Sequence, residues 1–204
     1  MTQQIPTEIY PLFSQPVFVV NNDKTPHQDA IDFLKSLDSR KNSGGNFSTW
    51  EDNILELPEF SEIKSQIVTA VTEFTNHIMG WTTTDFYITQ SWGNVNPKDT
   101  THHIHYHYNS VVSGTFYLQT GTEDHIVFYN DPKPMLDFEK THFNIYNASS
   151  YKVPVSTNTI AVFPSTLMHS VDQNKDDWER ISIAFNVFVK GPIGSREALT
   201  YLEL

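Results

Sequence analysis

Apolar positions recur at two different periods along this chain, and the change falls near residue 80. Ala30, Ile31, Leu34 and Leu37 form one stripe at helical spacing. Phe60, Ile63, Ile67, Val71, Phe74 and Ile78 form a second. Ahead of the first stripe, Thr25 can act as N-cap, Pro26 takes the first helical position and Gln28 completes a capping box. Asn42-Ser43-Gly44-Gly45 ends that segment as a loop. The second helix is expected to start near Pro58 and Glu59 and to stop at Gly80, a natural left-handed residue past a helix end. Each stripe reads as the face of a helix packed on a sheet.

From Trp81 onward, runs rich in Thr, Val, Ile, Phe and Tyr alternate with Asn, Asp, Pro and Gly. Strands are expected near Asp85–Asn94, Ile104–Tyr108, Val111–Gln119, His125–Tyr129, Tyr151–Val155, Thr159–Phe163, Leu167–Val171 and Arg180–Lys190. Short strands without intervening helices predict a mainly β fold, a jelly roll or barrel supported by N-terminal helices. The segment Asp131–Ser150, with Pro132 and Pro134, is expected to be a loop over a site. No internal repeat or low-complexity tract interrupts this order. The expected organisation is one domain over 1–204, with a helical part (1–80), a β core (81–190) and a C-terminal tail (191–204).

Composition narrows the function. At 204 residues the chain can bury a sizeable core without disulfides. Its formal charge is 13 − 24 = −11 with no basic stripe, which argues against a nucleic-acid partner. There is no cysteine, so disulfide frameworks, zinc–thiolate sites, iron–sulfur clusters and cysteine nucleophiles are excluded together. The N-terminus has no basic segment followed by an apolar run, and no stretch approaches the roughly 20 apolar residues of a membrane span. A cytoplasmic protein, in a bacterium or a phage-infected host, is the expectation, and a homodimer is compatible with it.

The chemistry concentrates in Thr101-His102-His103-Ile104-His105-Tyr106-His107. On a strand, His103, His105 and His107 share one face and His102 points away. Imidazoles two residues apart can reach one metal ion, and imidazole suits Fe, Zn, Cu and Ni. A solvated histidine tract is the plainer alternative. The distant His169, in an otherwise apolar and small-residue stretch, offers a third ligand, although a lone histidine is as readily a core residue. On the last strand, Ile181, Ile183, Phe185, Val187 and Val189 take one face and Arg180, Ser182, Ala184, Asn186 and Phe188 the other. That pattern fits a half-exposed strand. It fits equally a polar wall inside a barrel, where the Arg180 fork could clamp a carboxylate and Ser182 add a hydrogen bond.

These blocks resemble a known family. His105-Tyr106-His107-Tyr108-Asn109-Ser110-Val111-Val112-Ser113-Gly114-Thr115-Phe116-Tyr117-Leu118, then Phe163-Pro164-Ser165 with His169, then Arg180-Ile181-Ser182-Ile183-Ala184-Phe185-Asn186, are similar to the 2-oxoglutarate/Fe(II)-dependent oxygenases. The nearest group is a set of small oxygenases of marine bacteria and cyanophages, whose strand ahead of the ligands is matched by Trp92-Gly93-Asn94. The resemblance spans roughly Asp85 to Val189 and implies a double-stranded β-helix with iron between two sheets. It implies His105, His107 and His169 as ligands. Arg180 and Ser182 would hold the far carboxylate of 2-oxoglutarate, with Tyr117 beside them as in prolyl-hydroxylase-like relatives, and Asn94 and Asn186 as further pocket residues. The implied cofactors are Fe(II), 2-oxoglutarate and O2. The implied reaction hydroxylates a small-molecule or peptidyl substrate and releases succinate and CO2, with no side chain acting as general base.

The pattern departs from the family in two places. The wider superfamily has a carboxylate where His107 stands, and Tyr108 replaces a proline of the narrower group. Three points stay open on sequence grounds. One is whether His107 or a nearby carboxylate completes the metal shell. Another is whether the ligand pair is His103/His105 or His105/His107. The third is whether the fold is instead a three-histidine cupin-type metalloenzyme without 2-oxoglutarate, or a non-catalytic jelly-roll binding protein.

Overall fold

The computed structural model describes residues 8–22, 25–130, 136 and 138–204. Pro132 and Pro134 of the expected loop lie outside them. In the first part of the chain, β1 (Phe18–Asn21) leads to α1 (Gln28–Ser36), then β2 (Ser39–Lys41), β3 (Phe47–Thr49) and α2 (Ser61–Glu73). The β core follows: β4 (Asp85–Asn96), β5 (His102–His105), β6 (Val112–Gln119), β7 (His125–Tyr129), β8 (Ser150–Pro154), β9 (Thr159–Pro164), β10 (His169–Val171) and β11 (Arg180–Lys190). A short ribbon, β12 (Pro192–Ile193) with β13 (Leu202–Glu203), ends the chain.

The strands form two facing sheets. The larger has the order β1-β9-β6-β11-β4-β3-β2 and the smaller β5-β10-β7-β8. Every pairing in them is antiparallel. This is the jelly roll expected from the strand spacing. Both helical stripes do pack on a sheet. Ala30, Ile31 and Leu34 of α1 and Ile63, Ile67 and Val71 of α2 are buried against Phe116, Ile160, Ile183, Phe185 and Val187. Side chains of this kind contribute about 1.5–3 kcal/mol each when fully buried. A second, inner cluster joins Tyr117 and Phe163 of the larger sheet to Ile126 and Phe128 of the smaller.

Several local expectations shift. Helix α1 starts at Gln28, after an N-cap His27 that makes no side-chain capping bond. Thr25 lies ahead of the helix, its carbonyl accepting a 2.7 Å bond from Asn158 Nδ2. The second helix begins as a 3-10 turn at Pro58–Phe60 and ends as a π-turn at Phe74–Ile78. Gly80 follows at φ 70°, the conformation expected past a helix end. Ile78, placed in the apolar stripe by periodicity, is half exposed because the π-turn rotates it off the buried face. The region 1–80 is not purely helical either: β1, β2 and β3 extend the larger sheet at both ends.

Gly114 lets β6 and β11 close over each other. A Cβ there would lie 2.3 Å from the Phe185 ring and 2.5 Å from the Ala161 carbonyl oxygen. Gly114→Ala is therefore expected to cost about 1–3 kcal/mol as overpacking, read as a lower denaturation midpoint. An unchanged midpoint would show that Phe185 yields freely.

Candidate metal centre and anion pocket

Two chain segments bring the three histidines together. His169 opens β10 and faces His105 directly across the β5–β10 ladder. His107 lies beyond the end of β5, where its backbone N–H donates to the Ser165 carbonyl at 2.9 Å. Asn109, left-handed at φ 52°, then turns the chain back towards β6. The ligand atoms of His105, His107 and His169 all lie within 4.8 Å of one another.

The hydrogen bonds settle which nitrogens face inward. His105 Nδ1 is 2.8 Å from the His103 carbonyl, and His169 Nδ1 is 3.0 Å from the Leu167 carbonyl. A carbonyl only accepts, so each Nδ1 donates and each Nε2 keeps its lone pair for the centre. His107 Nε2 and His169 Nε2 stand 3.3 Å apart. Two imidazoles bound at about 2.1 Å in neighbouring coordination positions would be separated by roughly 3 Å. The donor set thus fits a metal ion that binds imidazole.

Electrostatics agree. Burial, with His169 and His105 adding to it, pushes His107 down to about 3. Burial and then His105 push His169 down to about 4. His105 is lowered by the same desolvation. All three rings are therefore neutral, and free to bind metal, at neutral pH. His169 is also held by aromatic contact, its centroid 4.7 Å from Phe163.

His102 does not point away as alternation predicts. It stacks on His105, with centroids 4.8 Å apart. The cause is a register shift: His105 pairs with His169 and His102 with Val171, so β5 spends one residue more than β10 over that span. His102, His103 and His105 consequently form a second trio of neighbouring ligand atoms. Of the two register options, His105 and His107 are the pair that meets His169, and the trio they form contains no carboxylate among the described residues.

The polar face of β11 points into the space between the sheets. Arg180, Ser182 and Asn186 are all buried, so the strand is covered on both faces and the half-exposed alternative fails. Ser182 pairs with Tyr117 on one side and Asn94 on the other. Tyr117 is buried, and its hydroxyl has no hydrogen-bond partner among the described residues. Burial raises its pKa, with Arg180 and Asp124 close enough to act on it. A buried hydroxyl without a partner is uncommon, and this one fits a carboxylate as acceptor.

Two of the expected pocket residues make hydrogen bonds to protein groups. Asn94 Oδ1 accepts from Ser48 Oγ at 2.8 Å. Asn186 Oδ1 accepts from Ser113 Oγ at 2.9 Å, within a hydroxyl network that includes Ser165. Sequence reasoning missed two residues. Asp124 forms a buried ion pair with Arg180 through Nε at 2.8 Å and through Nη2. Asn96, opposite Arg180 in the ladder, is buried with Nδ2 unpartnered among the described residues. Asn96 was within reach of the alternation argument, one step along from Asn94.

Residues 90–186 match the model of the family described as "Putative 2OG-Fe(II) oxygenase". That stretch holds all three histidines, Tyr117, Arg180 and Ser182. Over that stretch the chain is similar to the 2-oxoglutarate/Fe(II) oxygenases. Solved structures share its fold at low identity. A prolyl-4-hydroxylase from Pseudomonas putida aligns with TM-score 0.56 and 14% identity, covering 86% of this chain and 94% of that one. HygX from Streptomyces hygroscopicus, solved with nickel, 2-oxoglutarate and hygromycin B, aligns with TM-score 0.57 and 13% identity, over 85% and 82%. The non-heme α-ketoglutarate-dependent epimerase SnoN from nogalamycin biosynthesis gives TM-score 0.62 and 11% identity, over 85% and 76%. No curated protein matches the sequence. No helix among the described residues is long and apolar enough to cross a membrane.

Proposed function

We propose that this chain is a 2-oxoglutarate- and Fe(II)-dependent dioxygenase that hydroxylates a C–H bond of its substrate, with release of succinate and CO2. The observation that carries the reading is the juxtaposition of two sites joined through Phe128 and Phe163, which contact His169 and share a core cluster with Tyr117. A trio of neutral imidazoles fit for a metal adjoins a polar wall that holds a buried arginine and an unpartnered tyrosine hydroxyl. Prolyl-4-hydroxylase and HygX, which share the fold, lend support.

His105, His107 and His169 would hold the iron, and Arg180, Ser182 and Tyr117 the far carboxylate of 2-oxoglutarate. When bound, iron supplies the activation of O2 at the expense of 2-oxoglutarate. The chain's own part is positioning and exclusion of water. The Nδ1 bonds of His105 and His169 lock the rings with Nε2 inward. The Ser165 carbonyl fixes the backbone of His107. Phe128 and Phe163 wall the centre on the interior side. Tyr117 stays protonated, so its hydroxyl donates to an incoming carboxylate.

The test is succinate formation from 2-oxoglutarate by Fe(II)-loaded protein under air, together with binding of 2-oxoglutarate by Mn(II)-loaded protein. Succinate that depends on both Fe(II) and O2, with a raised melting temperature when 2-oxoglutarate binds, is the expected outcome. Metal binding with no response to 2-oxoglutarate in either assay would overturn the proposal.

A further inference from the structure

Arg180 is already neutralised by a partner that the oxygenase reading does not explain. Asp124 closes the turn before β7, and both of its oxygens are used. Oδ2 accepts from the Gly121 backbone N–H at 2.7 Å. Oδ1 accepts from Arg180 Nε at 2.8 Å and from Nη2. The backbone carbonyl of Asp172 accepts from Nη1 at 3.2 Å. Both side chains of the pair are buried, at 5% and 7% exposure.

A guanidinium has five N–H donors in one plane. The contacts above use three, on Nε, Nη1 and Nη2. One N–H on each terminal nitrogen is left to donate to an incoming carboxylate. The Tyr117 hydroxyl and the Asn96 amide, both buried and unpartnered among the described residues, belong to the strands flanking Arg180.

Resting on the proposed function, we infer that Asp124 is a positioning residue for 2-oxoglutarate: it grips the Nε edge of Arg180 so that the terminal edge alone is presented to the far carboxylate. Because Asp124 cancels the arginine's charge, the pocket recognises its ligand by the direction of its donors more than by net attraction. The pair also lets an arginine stay buried before the co-substrate arrives. Without Asp124 the guanidinium can turn its side edge to the ligand or swing towards solvent, and the preformed fork is lost.

The experiment compares wild type, Asp124→Asn and Asp124→Ala, each loaded with Fe(II), measuring the KM for 2-oxoglutarate, kcat, iron content and thermal melting. Asp124→Ala is expected to raise the KM about tenfold with kcat within about threefold of wild type and iron content unchanged. Asp124→Asn keeps one acceptor for Arg180 and should fall between, with a KM rise of about threefold. A folded Asp124→Ala protein with wild-type KM would overturn the inference, and so would an equal loss of iron. Should Asp124→Ala fail to fold, an unchanged KM in Asp124→Asn overturns it on its own. If wild type neither binds nor consumes 2-oxoglutarate, the dioxygenase reading fails. If wild type does both and the variants match it, only the role of Asp124 fails.

Discussion

His169→Ala is expected to retain no iron after desalting and to lose succinate formation by at least about 10³-fold, or roughly 4 kcal/mol of transition-state stabilisation. His169 is the most buried of the three imidazoles, 5% exposed, and faces His105 across the ladder. Removing it leaves two ligands on one segment and nothing opposite them. The fold should survive, because His169 adjoins Phe163 and Phe128 at the inner cluster and leaves the helical core untouched. The cavity is expected to cost about 2 kcal/mol. Iron analysis, succinate yield and thermal melting on one preparation separate these effects. His103→Ala is the control, since His103 is exposed and belongs to the other histidine trio. It should keep its iron and its turnover. Undiminished turnover in His169→Ala would sink the metal assignment.

Arg180→Ala should act on stability before it acts on chemistry. Its loss strands the Asp124 carboxylate, buried and without its cation. Breaking one side of such a pair typically costs about 3–5 kcal/mol. A large drop in melting temperature is therefore expected, along with a sharply raised requirement for 2-oxoglutarate. The two effects separate in the double variant Arg180→Met/Asp124→Leu. Replacing both charges with apolar groups should recover most of the stability. It should not recover 2-oxoglutarate binding, because the fork is gone. Should the double variant bind 2-oxoglutarate as wild type does, Arg180 is structural and the anion site lies elsewhere.

The helical stripes were legible because 3.6-residue periodicity survives any detail of packing: Ile63, Ile67, Val71 and Phe74 are all buried. The central strands were legible because β11 alternates strictly, and its boundaries stand as read, Arg180–Lys190. β2 and β3 were missed because three residues carry no usable period. β1 left a trace, the apolar run Val17–Val20 after Pro16, that was open to being read as a strand.

At the site, the resemblance and the His-x-His spacing together named the histidines that meet. The inward turn of His102 was not legible, since a β-bulge depends on the partner strand and leaves no local mark. Asp124 was illegible for a related reason. The acidic pair in Gly121-Thr122-Glu123-Asp124 looks like an ordinary polar turn, and only the tertiary fold sets Asp124 against Arg180. Asn94 entered the expected pocket through the resemblance, which says nothing of the hydrogen bond it accepts from Ser48.

The pairing of β5 with β10 has a consequence for the integrity of the molecule. These strands have four and three residues, and their ladder is short. His107 and His169 stand 62 residues apart in the chain. An ion gripped by both would fasten that loop, and closing a loop of this length in the unfolded chain costs about 4 kcal/mol of entropy. Iron would then act as a rivet as well as a reagent, and a protein stripped of metal would come loose first along the seam beneath its own histidines.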